Sequence, residues 1–148
     1  MENSPYQHRV MQTQRTLAYT PDEIYVAFSD PSRLAKWWGP KGFTNTFEIF
    51  DFKAGGNWKF MMHGPDGTNY PNNSVFRELE PGKKVVIRHV STPHFTLSVT
   101  LLPDNEGTQI LWAQEFDDPK VAAAVRHIVE PSNEQNLDRL TKLLGELK

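Results

Sequence analysis

Two side chains in this sequence, Glu78 and His89, have residue types and a spacing that suit acid–base chemistry. They flank the turn cluster Glu80-Pro81-Gly82-Lys83, in two runs whose residues alternate in character. A two-residue loop at Pro81-Gly82 sets Glu78 opposite Val85, Phe76 opposite Ile87 and Ser74 opposite His89, with Ser74, Phe76, Glu78 and His89 on one sheet face. Among apolar neighbours a carboxyl is pushed up toward neutrality, where a histidine already titrates, so the pair is a candidate acid and base. The competing reading is structural: Glu78 bonds an arginine or a backbone turn, and His89 bonds Ser74. We prefer that plainer reading.

Other catalytic chemistry finds little support. The histidines are His8, His63, His89, His94 and His127; no two have HExxH spacing or share a strand face, so no metal site is expected. The absence of cysteine removes thiol nucleophiles, disulfides and Cys-zinc sites together. There is no G-x-S-x-G elbow and no phosphate-binding loop; Gly55-Gly56 reads as a hairpin turn, with Asp51 before it as a turn acceptor. No cofactor is expected.

The elements that would position these residues follow from punctuation. Residues 9–17 read as a first strand. Thr20, Pro21 and Glu23 open a short helix with Ile24, Ala27 and Phe28 on its apolar side, and Asp30-Pro31 opens a second that ends at Gly39-Pro40. From Phe43 to Phe116, turn clusters separate runs rich in Phe, Val, Ile, Thr and Trp. Connections this short require antiparallel neighbours, so six consecutive strands are expected, with the first strand closing onto an edge. Asp118-Pro119 opens the final helical region, where Val121, Val125 and Ile128 mark one apolar side. Pro131 should interrupt it, Ser132-Asn133-Glu134-Gln135 should cap a new start, and Leu137, Leu140, Leu144 and Leu147 should share a face.

The inner sheet face is then Trp58, Phe60 and Met62, followed by Ser74, Phe76, Ile87 and His89, then Phe95 and Leu97 against Trp112 and Gln114. With Leu140 from the covering helix and Trp37 and Trp38 at the mouth, these are the candidate ligand-binding residues. One helix need not fill the space under a bent sheet, so a mostly apolar pocket is expected there. The alternative is that the aromatics simply fill the core, one ring of the Trp37-Trp38 pair anchoring its helix.

Composition sets the class. A chain of 148 residues suits one α+β domain, with residues 1–8 expected as a disordered tail. A net charge of -2 argues against a nucleic-acid partner, and no apolar run is long enough for a membrane span. Without a visible secretory signal, a cytoplasmic location is expected and the Asn72-Asn73-Ser74 sequon is set aside.

Several motifs carry a family resemblance. Asp30-Pro31-Ser32-Arg33-Leu34-Ala35-Lys36-Trp37-Trp38-Gly39-Pro40, Ala54-Gly55-Gly56-Asn57-Trp58, Gly64-Pro65-Asp66-Gly67, Phe76-Arg77-Glu78-Leu79-Glu80-Pro81 and Asn133-Glu134-Gln135-Asn136-Leu137-Asp138-Arg139-Leu140 resemble the SRPBCC (START-like) superfamily. The branch is the one named after the activator of the heat-shock-protein-90 ATPase. The resemblance implies a helix-grip fold: a curved seven-stranded antiparallel sheet wrapped around a long C-terminal helix, with two short helices between strands 1 and 2. It implies a pocket for a lipid-, polyketide- or aromatic-like molecule, but no universal catalytic motif. Members often carry an aromatic where His89 stands, and often form homodimers. Three functions follow as expectations: a non-catalytic binder of a small apolar ligand, a cyclase-, dehydratase- or hydrolase-type enzyme using Glu78 and His89, or a stress-response module that regulates a chaperone ATPase.

Overall fold

A computed structural model describes residues 8–147. Of the expected tail, all but His8 lies outside the described residues. The chain runs β1 (Val10–Leu17), α1 (Pro21–Ser29), α2 (Pro31–Trp37), β2 (Thr44–Phe50), β3 (Asn57–His63), β4 (Asn69–Glu80), β5 (Lys84–His89), β6 (Phe95–Asp104), β7 (Gly107–Phe116) and α3 (Pro119–Glu146). The strands form one antiparallel sheet in the order β1-β7-β6-β5-β4-β3-β2, so the meander is continuous and β1 joins its far edge through β7. This is the helix-grip arrangement.

The two short helices start where their caps dictate. Thr20 Oγ1 accepts from Glu23 N while Glu23 Oε1 accepts from Thr20 N, closing a capping box. Asp30 ends α1 and caps α2 by accepting from the Ser32 amide. Together α1 and α2 bury Ile24, Ala27, Phe28, Leu34 and Trp37 in the main core, which also holds Trp58, Phe76, Val99 and Ile110 from the sheet.

The last helix departs from expectation. α3 is a single helix of 28 residues with Pro131 inside it, about 40 Å from end to end. Proline removes one N–H and so frees the His127 carbonyl, but the helix continues. Ser132 forms no cap; its hydroxyl donates back to the Ile128 carbonyl at 2.8 Å, a bond available only in continuous helix. The N-terminal half packs Ala122, Val125 and Val129 onto Met11 and Phe116, leaving Ile128 exposed, contrary to the expected stripe. The C-terminal half buries Leu137, Leu140, Leu143 and Leu144, whereas Leu147, at the helix C-cap, is 48% exposed.

Candidate functional site

The inner face is set by strand register. Trp58, Ser74, His89 and Phe95 lie side by side across β3 to β6, and Phe76, Ile87, Leu97 and Gln114 across β4 to β7. Between this face and α3 lies a cavity of about 260 Å³. Trp38, Phe60, Met62, Ser74, Ile87, His89, Phe95, Leu97, Trp112 and Gln114 line it. Four of the candidates do not: Trp37, Trp58, Phe76 and Leu140 are fully buried in the packed core. A groove of about 520 Å³ beside Pro81 and Leu102 is larger but lies outside the core.

The walls missed by strand alternation come from loops and from α3. Gly39, Pro40 and Pro93 contribute from loops, and α3 adds Val129, Ser132, Asn133 and Asn136, while Asn72 lies on β4 in step with Ser74 and extends that strand's inner face. A continuous helix through Pro131 was needed to bring Val129 and Asn133 onto the same cavity. A period of 3.6 run straight through Pro131 would have placed them on one side.

Glu78 is not in this site. The turn after β4 takes three residues, Pro81 to Lys83, because Glu80 pairs with Lys84. A bulge between Phe76 and Glu78 then restores the register that sets Phe76 opposite Ile87. Glu78 therefore pairs with Val86, is exposed and reaches Lys84 at 3.4 Å, while Leu79 takes the inward position.

His89 is 4% exposed and its ring stacks on Phe95, with centroids 4.5 Å apart. Nδ1 meets the Pro93 carbonyl and Nε2 meets Asn72 Oδ1, each at 2.7 Å, with Ser91 Oγ 3.4 Å from Nε2. Asn72 supplies the anchor expected of Ser74. Burial pushes the imidazole below its ordinary value, Arg88 and His94 push the same way, and the hydrogen bonds to the Pro93 and Ser91 backbone oppose them. No charged side chain from α3 lines the cavity opposite it.

A depressed histidine favours the folded state fully above its unfolded value, about pH 6.5, and loses that contribution as pH falls. Urea unfolding at pH 5.5 and 7.5 should therefore show an acid-side loss of stability that His89→Phe reduces. An equal loss in the variant would assign it to other groups.

The mouth is fixed from α3. Asn136 donates to the Trp37 carbonyl at 2.7 Å and accepts from the Gly39 amide at 3.3 Å. Arg139, one turn on, donates to the carbonyls of Lys36, Trp38, Gly39, Pro40 and Phe43 at 2.8–3.0 Å. At this latch Gly39 has φ +96, a backbone conformation that strains any L side chain, and a Cβ there would also have to push aside the Met62 methyl, 2.7 Å away. Trp37 anchors α2 by donating Nε1–H to the Ala27 carbonyl at 2.9 Å, while Trp38 turns to the cavity, edge-on to Trp58.

Among the described residues no cluster of three histidines or carboxylates is placed to hold a metal ion, and no helix is long and apolar enough to cross a membrane. No curated protein matches the sequence. A protein of Nitrosomonas europaea has a similar crystal structure, with TM-score 0.86 and 20% identity, over 94% of this chain and 96% of that one. A protein of Chromobacterium violaceum aligns with TM-score 0.80 and 25% identity, over 90% and 96%. The AHSA1 protein of Silicibacter pomeroyi aligns with TM-score 0.76 and 20% identity, over 94% and 99%. Residues 18–145 match the family described as Activator of Hsp90 ATPase homolog 1-like protein. That match takes in both short helices, the latch and all the cavity-lining strands, and the chain belongs to this family.

Proposed function

We propose that the chain binds a small apolar ligand in the cavity between the sheet and α3 and does not convert it. The observation that carries this reading is the cavity wall itself: aromatic and aliphatic side chains with a few polar groups, and no carboxylate, lysine or arginine. Such walls hold ligands by burial, at about 25 cal/mol per Å² of apolar surface, and orient them with a few hydrogen bonds. Pockets that bury drug-sized ligands run to roughly 300–1,000 Å³. A cavity of about 260 Å³ therefore favours a compact aromatic molecule over a lipid or a many-ringed polyketide. Catalysis is disfavoured because Glu78 faces away and both nitrogens of His89 are engaged.

Mass spectrometry of ligand co-purified with the chain tests the reading directly. Ile87, 2% exposed and in the cavity wall, offers a second test. Ile87→Phe should fill the cavity and weaken binding of a bicyclic aromatic probe by at least about tenfold, with stability changed by less than about 3 kcal/mol. Trp38 and Trp112 in the wall provide the fluorescence signal. Undiminished affinity would place the ligand elsewhere. A probe chemically converted by the chain, with conversion but not affinity lost in His89→Ala, would make the cavity an active site.

A further inference from the structure

Resting on that reading, we infer that the occupant is a compact, flat molecule with carbonyl-type acceptor oxygens on two opposite edges. Among the described residues, two polar groups of the wall, the Ser74 hydroxyl and the Gln114 amide nitrogen, have no hydrogen-bond partner. Ser74 is 4% exposed and its hydroxyl bonds nothing. Gln114 is 8% exposed; its Oε1 accepts from Asn133 Nδ2 at 3.2 Å, and its Nε2 is left without an acceptor. The indole nitrogens of Trp58 and Trp112 are also unpaired, but both are sealed off and open onto no cavity. Buried donors without partners are rare because each forfeits its hydration without recompense.

The balance of donors and acceptors points one way. The His89 ring stands between Asn72 Oδ1 and the Pro93 carbonyl, Asn136 Oδ1 accepts from the Gly39 amide, and the Ser132 hydroxyl gives its hydrogen to the Ile128 carbonyl. Asn133 Oδ1 and the Ser132 lone pairs remain as acceptors, but both residues are only half-buried and lie on α3, away from the sheet floor. On the sheet floor Gln114 Nε2 can only give a hydrogen bond, while Ser74 can give or take one. The deep wall therefore asks its ligand for acceptors.

Position adds the second requirement. Ser74 is on β4, Gln114 is on β7, and β5 and β6 lie between them. Three strand spacings of about 4.8 Å separate the two walls by about 14 Å along the sheet, so a single oxygen does not serve both. A flat body lying over Ile87 and Leu97, with one oxygen toward each wall, satisfies both ends.

Calorimetric titration of the purified chain with four bicyclic probes of similar size tests this. They are naphthalene, 1-tetralone with one carbonyl, 1,4-naphthoquinone with two opposed carbonyls, and 1-naphthol with a hydroxyl. The chain has no cysteine, so the quinone meets no thiol. Affinity should rise from naphthalene to tetralone to naphthoquinone, about five- to tenfold at each step, with naphthol below naphthoquinone. Ser74→Ala and Gln114→Leu should each bring the quinone down to about the tetralone level and leave naphthalene unchanged. Gln114→Glu keeps the shape but replaces the donor with an acceptor, and should do the same to the quinone. Naphthalene or naphthol binding as tightly as the quinone, or variants that weaken all four probes by one factor, would overturn the inference while leaving the binding cavity intact. No binding of any probe to a folded chain would overturn the binding reading itself.

Discussion

Arg139→Ala is expected to destabilise the fold by at least about 3 kcal/mol and to release Trp38 from the cavity mouth. The guanidinium gathers five carbonyls from Lys36 to Phe43, a stretch that leaves α2, turns through Gly39-Pro40 and enters β2. Hydrogen bonds from a charged donor are worth about 1.5–3 kcal/mol each where burial is complete. Arg139 is only partly buried, so the sum is far smaller than five such bonds. Removing it still leaves several converging carbonyls short of a donor, and water can reach only some of them. Arg139→Lys should recover little, because an ammonium offers three donors from a point and cannot spread across the loop. Urea unfolding gives the energy, and tryptophan emission reports the movement of Trp38. A loss under about 1 kcal/mol with unchanged emission would show that the loop holds its shape without the latch.

Legibility in the sequence followed the range of the interactions. Local chemistry was readable: the Thr20–Glu23 capping box, the Asp30 cap and the alternation of Trp58 and Phe60 need only their neighbours in the chain. Register was readable through a cancellation. The three-residue turn at Pro81–Lys83 shifts the pairing by one, and the bulge before Glu78 shifts it back, so Ser74 and Phe76 face their expected partners while Glu78 does not. A bulge reports no strong residue preference at Arg77, and its presence depends on how the whole sheet bends.

The long-range polar contacts were the least legible. Asn136 and Arg139 sit three apart on α3, and their partners are backbone carbonyls about a hundred residues earlier. Two of the motifs that carried the family resemblance, the Trp37-Trp38-Gly39-Pro40 run and the Asn133 to Leu140 helix, are the two sides of this one latch. Carbonyls leave no trace in the residue types that present them, so spacing alone could not pair the two motifs. Pro131 misled for the opposite reason: a strong local rule was overridden by apolar packing on both sides of it.

Leu140→Ala is the second large effect, expected at about 2–5 kcal/mol. Leu140 is fully buried in the main core, in the same cluster as Trp37, Trp58 and Phe76, and none of these three lines the cavity. The cost therefore reflects packing of α3 onto the sheet rather than loss of a ligand contact. Leu147 supplies the internal comparison, since it is 48% exposed at the helix C-cap and its truncation should cost no more than about 0.5 kcal/mol. Before folding the two leucines look equivalent, seven residues apart on one apparent stripe. The difference in unfolding free energy between the two variants measures how much of that stripe the core uses. Two small losses would mean that α3 does not grip the sheet through Leu140, and two large ones that the core uses the stripe as far as Leu147. A large loss for Leu140→Ala alone, with naphthoquinone affinity per folded molecule retained, would separate the helix that holds the fold together from the side chains that hold the ligand.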